Sequence, residues 1–342
     1  MGSPKISVLV PMYNCRDYIA QCLDSALNQT FKGDYEIIVR DDASTDGSAD
    51  FVEQRYAAAI ASGKLKLRRN EKNLGEHHTE NRLFLDATGK YFAVLHNDDI
   101  YLPHALEHMY EVAEYFKADV VHSCGTLDSP SDGIITEETE FNILIFDGSP
   151  VSKAEIVSAE PEFRFREYFF GGTFLDLQYN FFRRQFILEN EIFNPTAEGG
   201  HRFFSLLWIM KSKIFVKTPV IFYIRRNSPH SQTNEKNLSP NKVAKIISER
   251  IELSRHIDKI LQDIAFFKDK DELRYKLKAQ AFAIQDDFYL KRRGVYNKEF
   301  TKACRLAVED VLKKYFGEDF FYPMFLFCQS HAFYDSSIGQ TD

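Results

Sequence analysis

The chain has 342 residues, 44% of them hydrophobic, with a formal net charge of −7. That is enough apolar material for one large or two modest domains with a sizeable core, which excludes a disordered chain. The acidic balance, with no basic stretch, excludes a nucleic-acid backbone as the main partner.

No run reaches the roughly 20 apolar residues of a membrane span. Met1-Gly2-Ser3-Pro4-Lys5 lacks the apolar stretch of a secretory leader. The five cysteines, odd in number and without a CxxC pair, are expected as free thiols. The protein is therefore expected to be soluble and cytoplasmic.

Ile6-Ser7-Val8-Leu9-Val10 predicts a short buried strand ended by Pro11, after which Ile19, Cys22, Leu23, Ala26 and Leu27 recur on one helical face. A second strand, Tyr35 to Arg40, runs into Asp41-Asp42-Ala43-Ser44-Thr45-Asp46-Gly47-Ser48, whose turn-forming and capping residues precede a helix through about Ala61. Leu65-Lys66-Leu67-Arg68 alternates as a third strand. A helix from about Glu76 to Ala87 follows, and Gly89 stops it before a fourth strand at Tyr91. Strands alternating with helices predict a parallel sheet wound right-handedly, its loops gathered at one edge.

The fourth strand ends abruptly at Asn97-Asp98-Asp99. Open α/β sheets bind ligands at the carboxyl ends of their strands, and two carboxylates held this close repel unless a cation or a proton lies between them. Oxygen ligands facing a phosphate suit Mg²⁺ or Mn²⁺. From these two acids alone, capping the helix after Pro103 is an equal reading.

From about Asp128 to Pro161 the pattern weakens into a surface excursion. Gln178 to Arg184 is aromatic and basic, and Phe203, Phe204, Leu206, Leu207 and Ile209 predict a buried helix before strands at Ile214 to Val216 and Val220 to Ile224. After Pro240 the composition shifts to long amphipathic helices. Near the end, Phe320 to Phe327 packs six large apolar side chains and a tyrosine into eight positions. Packing on the chain's own helices is the plain reading. A homo-oligomer through this run is expected ahead of membrane-surface contact, because Glu318 and Asp319 precede it.

Val8-Leu9-Val10-Pro11-Met12-Tyr13-Asn14, Gln29-Thr30-Phe31, the loop from Asp41 to Ser48, Asn73-Leu74-Gly75 and Ala87-Thr88-Gly89-Lys90-Tyr91 leading to Asn97-Asp98-Asp99 together resemble the amino-terminal half of family 2 glycosyltransferases. The order and spacing match over roughly the first hundred residues; weaker similarity runs to about Ser231. The resemblance implies an α/β fold of the GT-A type, a Rossmann-like, mostly parallel sheet flanked by helices, here with a helical carboxyl-terminal extension. The expected domains are residues 1–235, divided into a nucleotide-binding half (1–127) and an acceptor half (128–235), and an extension over residues 236–342.

The implied activity is metal-dependent inverting transfer from a UDP-sugar to a hydroxyl of a glycan, lipid-linked glycan or protein, as in polysaccharide biosynthesis. Carried over residue by residue, Pro11 and Tyr13 would frame the nucleoside, with Tyr13 stacked on the base, and Asp42 would accept from the uracil imide. Asp99 would ligate Mn²⁺ or Mg²⁺ directly, with Asn97 in place of the family's first acid, and Asp98 would hold the ribose or sugar.

Three positions depart from the family pattern. The arginine usual in the helix before the metal strand is Glu80, with Arg82 as stand-in. The return loop Tyr223-Ile224-Arg225-Arg226-Asn227-Ser228-Pro229-His230 has Arg226 where a histidine is usual, and His230 is the alternative diphosphate ligand. The general-base aspartate is a glycine, flanked by Glu198 and His201. Either can take an acceptor proton if Gly199-Gly200 brings it within reach, and Glu198 is preferred because it matches the first acid of the family's pair. Two rival functions follow: a nucleotide-sugar binding protein that has lost its base, and a sugar nucleotidyltransferase. The latter is disfavoured because Pro11-Met12-Tyr13-Asn14 lacks the Gly-rich, basic character that cradles a triphosphate.

Overall fold

The computed structural model describes residues 3–124, 127–129, 149–161, 163–164, 177–194, 200–226, 262 and 268–271, with backbone alone at 127, 128 and 200–203. By packing, the chain divides into two compact units, Met1–Thr196 with Gly200–Asn227, and Ala197–Gly199 with Ser228–Asp342. Nearly all the described residues belong to the first.

Strand β1 (Ile6–Met12) is buried along its whole length, as a central parallel strand covered on both faces must be. Helix α1 (Ile19–Leu27) buries Ile19, Cys22, Leu23 and Ala26, the stripe expected of a helix lying on a sheet. Then come β2 (Tyr35–Asp41), α2 (Ser48–Arg55), α3 (Ala57–Ala61), β3 (Leu65–Arg69), α4 (Glu76–Asp86) and β4 (Tyr91–Val94). β1 pairs in parallel with both β2 and β4, and β2 with β3. Pro11 falls past the last β1–β4 pair, Leu9 with Val94, so its missing N–H costs that ladder nothing.

Beyond β4 lie β5 (Ile100–Tyr101), α5 (Ala105–Phe116), β6 (Val120–Ser123), β7 (Leu127–Asp128), β8 (Glu155–Val157), β9 (Asn180–Arg183), α6 (Arg184–Glu189), α7 (Gly200–Lys211), β10 (Phe215–Thr218) and β11 (Tyr223–Arg225). Among the described residues, the main sheet has the order β3-β2-β1-β4-β9-β6-β10-β8, and a small second sheet has the order β5-β11-β7. The architecture is α/β with a mostly parallel sheet. The exceptions are β9, which the aromatic run Gln178 to Arg184 supplies and which lies antiparallel between β4 and β6, and β8 at the edge.

Aromatic packing divides on the two sides of the sheet. Phe84 of α4 stacks on Phe92 at 5.1 Å, and Phe182 meets Phe92, Phe204 and Trp208 at 5.4–5.9 Å between centroids. Alternation sends the next residues the other way: Tyr91 meets Phe181 at 5.1 Å and Tyr110 of α5 at 5.9 Å.

The expected strand from Val220 to Ile224 is corrected. Val220 and Phe222 are buried, but the Val220 carbonyl accepts from a side chain, Ser123 Oγ (2.8 Å), and the strand runs only over Tyr223–Arg225, with the backbone bond from Leu102 N to Phe222 O (2.9 Å) extending its pairing with β5 by one residue.

The Ala87-Thr88-Gly89 stretch closes onto the start of β1 and β2. Gly89 N donates to Ser7 Oγ (2.9 Å), and Ser7 Oγ and Thr88 Oγ1 both donate to Glu36 Oε1. A Cβ on Gly89 would lie 2.7 Å from the Ile6 carbonyl carbon and the Ser7 nitrogen. Gly89→Ala is expected to destabilise the protein by about 1–3 kcal/mol, the usual cost of overpacking against fixed backbone, measured by urea unfolding.

His122 is buried, and its Nδ1 lies 2.9 Å from Asn180 Oδ1; burial pushes its pKa down to about 4. The unfolded chain takes that proton near the ordinary value while the folded protein does not, so this group's contribution to stability falls as pH drops from about 6.5 towards 4. His122→Gln is expected to make the melting temperature less sensitive to pH across that window.

Cys15 and Cys22 are buried free thiols and Cys124 is an exposed one. Burial pushes Cys15 up to about 12, which makes it a poor nucleophile. Cys304, Cys328 and the run Phe320 to Phe327 lie outside the described residues. Among the described residues no helix is long and apolar enough to cross a membrane.

Candidate functional site

The carboxyl ends of β1, β2 and β4 stand side by side, and the chain leaves each of them into one of the stretches singled out by sequence. After β1, Tyr13 is 43% exposed. Asn14, in the left-handed region at φ 46°, donates its N–H to Ser44 Oγ (2.9 Å) and accepts from Thr45 N at its side-chain oxygen (2.9 Å). The loops after β1 and β2 are thereby stitched together. Pro11 is buried in the strand itself.

Asp42 is only 3% exposed. Its N–H donates to Met12 O (2.8 Å), which places it beside the start of the Tyr13 loop. Its carboxylate accepts from Leu74 N (2.9 Å) and Asn70 Nδ2 (2.8 Å) at Oδ1, and from Gly75 N (2.8 Å) at Oδ2. The Asn73-Leu74-Gly75 stretch thus cradles this acid. Gly75 sits at φ 87°, ψ 160° ahead of α4, a conformation that glycine alone adopts readily.

After β4 the chain turns, with Asp99 N donating to His96 O (3.1 Å). Asn97 and Asp98 are the central residues of the turn and are partly exposed, whereas Asp99 is 3% exposed. The second sheet supplies the partners of Asp99. The Tyr223 hydroxyl donates to Oδ2 (2.5 Å) and Arg226 N to Oδ1 (2.7 Å). Arg226 Nε donates to Asp98 O (2.8 Å) and Nη2 to Gln21 Oε1 (2.5 Å), and the guanidinium lies 5.1 Å from the Tyr18 ring centre. The return loop and the acidic turn, more than a hundred residues apart in sequence, form one structure.

The turn concentrates carboxylates in a buried setting. Burial, then the neighbouring Asp98, pushes Asp99 up to about 7, and burial raises Asp98 too despite His96 and Arg226 nearby. Burial opposes the charged form of His96, but the nearby carboxylates of Glu80, Glu76 and Asp99 outweigh it and carry its pKa up to about 10. An acidic pair so held, with one carboxylate partly exposed and an amide oxygen at Asn97, matches the donor set of a hard divalent cation.

Arg82 lies beside the residues that hold Asp42. Its Nη1 donates to Asn70 Oδ1 (3.0 Å), beside Arg40. Glu80, at the family's arginine position, is fully buried and accepts from Asn194 Nδ2 (2.6 Å); its Oε1 lies 3.8 Å from His96 Nε2. Glu76, Glu80 and His96 offer ligand atoms within 4.8 Å of one another. Asn81 exchanges two hydrogen bonds with the backbone of Asn194 (2.7 and 2.8 Å), which ties α4 to the segment leading towards α7. The backbone of His201 lies in the first turn of α7. Its side chain, Glu198 and His230 lie outside the described residues.

Sequence reasoning missed Tyr223, Gln21, Asn70 and His96. Tyr223 heads the return-loop motif, which was the available signal. The others act through contacts that no local pattern announces.

A model of glycosyl transferase family 2 matches residues 7–190. The Bacillus subtilis (strain 168) protein EpsE is 33% identical over 161 residues, 47% of this chain and 51% of its own. The poly(ribitol-phosphate) beta-glucosyltransferase of Bacillus spizizenii is 35% identical over 120 residues, 34% of this chain and 18% of its own. The chain thus spans about half the length of the first relative and less of the second. Among solved structures, S. aureus TarS 1-349 in complex with UDP-GlcNAc superposes with a TM-score of 0.67 at 16% identity, covering 96% of this chain and 92% of that one.

Proposed function

The chain belongs to glycosyl transferase family 2, and from that premise we propose that it transfers a sugar from a UDP-sugar to a hydroxyl group of a glycan. The observation that carries this reading is the gathering of the Tyr13 loop, Asp42 and the Asp98-Asp99 turn at the carboxyl ends of three adjacent parallel strands, β1, β2 and β4. TarS, a relative in fold, binds UDP-GlcNAc. The name of the Bacillus spizizenii relative couples a glucosyltransferase to poly(ribitol-phosphate), a hydroxyl-bearing polymer, which supports a polymer hydroxyl as acceptor here.

In this reading Tyr13 stacks on the uracil, Pro11 shapes the entrance and Asp42 accepts from the imide N–H. Asp99, with Asn97, would hold Mn²⁺ or Mg²⁺ and Asp98 the ribose or sugar, and Tyr223 and Arg226 keep Asp99 in place. When bound, such an ion neutralises the diphosphate as negative charge builds on the leaving group. Arg226 and His230 offer cationic or hydrogen-bonding groups to the same diphosphate. The acceptor hydroxyl attacks the anomeric carbon from the face opposite the UDP; the new C–O bond forms as the bond to UDP breaks, and the hydroxyl proton passes to Glu198, or to His201 in its stead.

The test is thermal stabilisation and hydrolysis with UDP-Glc, UDP-Gal, UDP-GlcNAc and UDP-GalNAc, each with and without Mn²⁺. Stabilisation that needs both nucleotide and metal, with slow release of UDP, is expected. No stabilisation by any of the four would overturn the reading. Pyrophosphate-dependent formation of UTP would assign a nucleotidyltransferase instead.

A further inference from the structure

We propose that Asn70 is the residue that orients Asp42 for nucleobase discrimination. The inference rests on the donor reading above. Asn70 ends β3's exit from the sheet, 6% exposed, with its N–H donating to Asp41 O (2.8 Å). Its side-chain amide is fully used. Nδ2 donates to Asp42 Oδ1 (2.8 Å) and to Thr79 Oγ1 (3.1 Å), and Oδ1 accepts from Arg40 Nη1 and Arg82 Nη1, both at 3.0 Å. These partners determine the amide's orientation, because a flip would turn its oxygen onto a carboxylate and its NH₂ onto two guanidinium groups. Arg40 is itself held by Asp86, so the oxygen side of Asn70 is anchored to a partly buried ion pair.

The consequence falls on Asp42. An ionised carboxylate has about four lone-pair positions. Asn70 and Leu74 fill the two on Oδ1 and Gly75 fills one on Oδ2, which leaves one on Oδ2 without a donor among the described residues. Three of these contacts hold the plane of the carboxylate, and the remaining lone pair suits a single N–H. Uracil has an imide N–H at its pairing edge; cytosine has an unprotonated ring nitrogen there, which would face the carboxylate with lone pair against lone pair. Asn70 supplies the side-chain restraint among the three, since Leu74 and Gly75 act through backbone. It is a positioning residue and makes no proposed contact with the substrate.

Asn70→Asp is the informative change. It is nearly isosteric and keeps an oxygen for Arg40 and Arg82, but replaces the donor to Asp42 with an acceptor. UDP and CDP affinities are measured calorimetrically on the full chain in Mn²⁺ for wild type, Asn70→Asp, Asn70→Ala and Asp42→Asn, with circular dichroism as the check on folding. Wild type is expected to favour UDP. Both Asn70 variants are expected to weaken UDP by about 10-fold or more and to bring the UDP:CDP ratio close to that of Asp42→Asn, the scale of one lost charge-assisted hydrogen bond. The kcat at saturating donor should fall far less than kcat/KM. Equal UDP and CDP binding by wild type would remove the nucleotide reading, and this inference with it. A wild type that discriminates, an Asp42→Asn that does not, and folded Asn70 variants that still do would overturn the inference alone. Unfolding of both Asn70 variants would make the residue structural and overturn it too.

Discussion

Asp99→Asn is expected to abolish the metal dependence of UDP binding and to slow sugar transfer by about 10² or more, the scale of losing an electrostatic contact to the charge that develops in a transition state. The substitution keeps the shape of the side chain and an oxygen for Arg226 N, so the turn at residues 96–99 should survive. What it removes is a charge that burial and Asp98 already make costly in the absence of a cation. Wild-type UDP affinity should therefore be higher in Mn²⁺ than in EDTA, and the two conditions should converge in the variant. Equal UDP affinity in EDTA and Mn²⁺ for wild type would sink the assignment of Asp99 as a metal ligand.

Glu198→Gln is expected to leave UDP-sugar affinity nearly unchanged and to lower transfer by roughly 10² or more, the usual contribution of a positioned base. The expectation rests on the family's base position, where this chain has glycine beside Glu198 and His201. Asn194, the last described residue before this stretch, is held by both ends of the Asn81 amide and donates to the buried Glu80, and Glu198 itself lies outside the described residues. His201→Ala is the matched control. A larger loss there would transfer the role to the histidine, and transfer at wild-type rate in both variants would leave neither as the base.

Much of this protein was legible before any coordinates. The burial of β1, the stripe on α1, the alternation of strands and helices to β4 and the acidic stop at Asn97-Asp98-Asp99 are local features, written in periodicities of two and 3.6 residues and in the residue types that end elements. A parallel sheet with its ligand edge at the carboxyl ends follows from them by chain connectivity alone. The pairing of distant segments was not legible. An aromatic run such as Asn180 to Arg183 fits many buried places, and only competition for the sheet puts it antiparallel between β4 and β6. In the same way Val220 has the composition of a strand residue, but its carbonyl is claimed by the Ser123 hydroxyl. Most of the candidate site depends on such choices. Sequence identified Asp42 and Asp99 as acids of interest. Tertiary structure decided that Asn70 and the Gly75 turn hold the first and that Tyr223 and Arg226 hold the second, because a hydrogen bond needs two groups within about 3 Å and no local pattern encodes a contact across 28 or 127 residues.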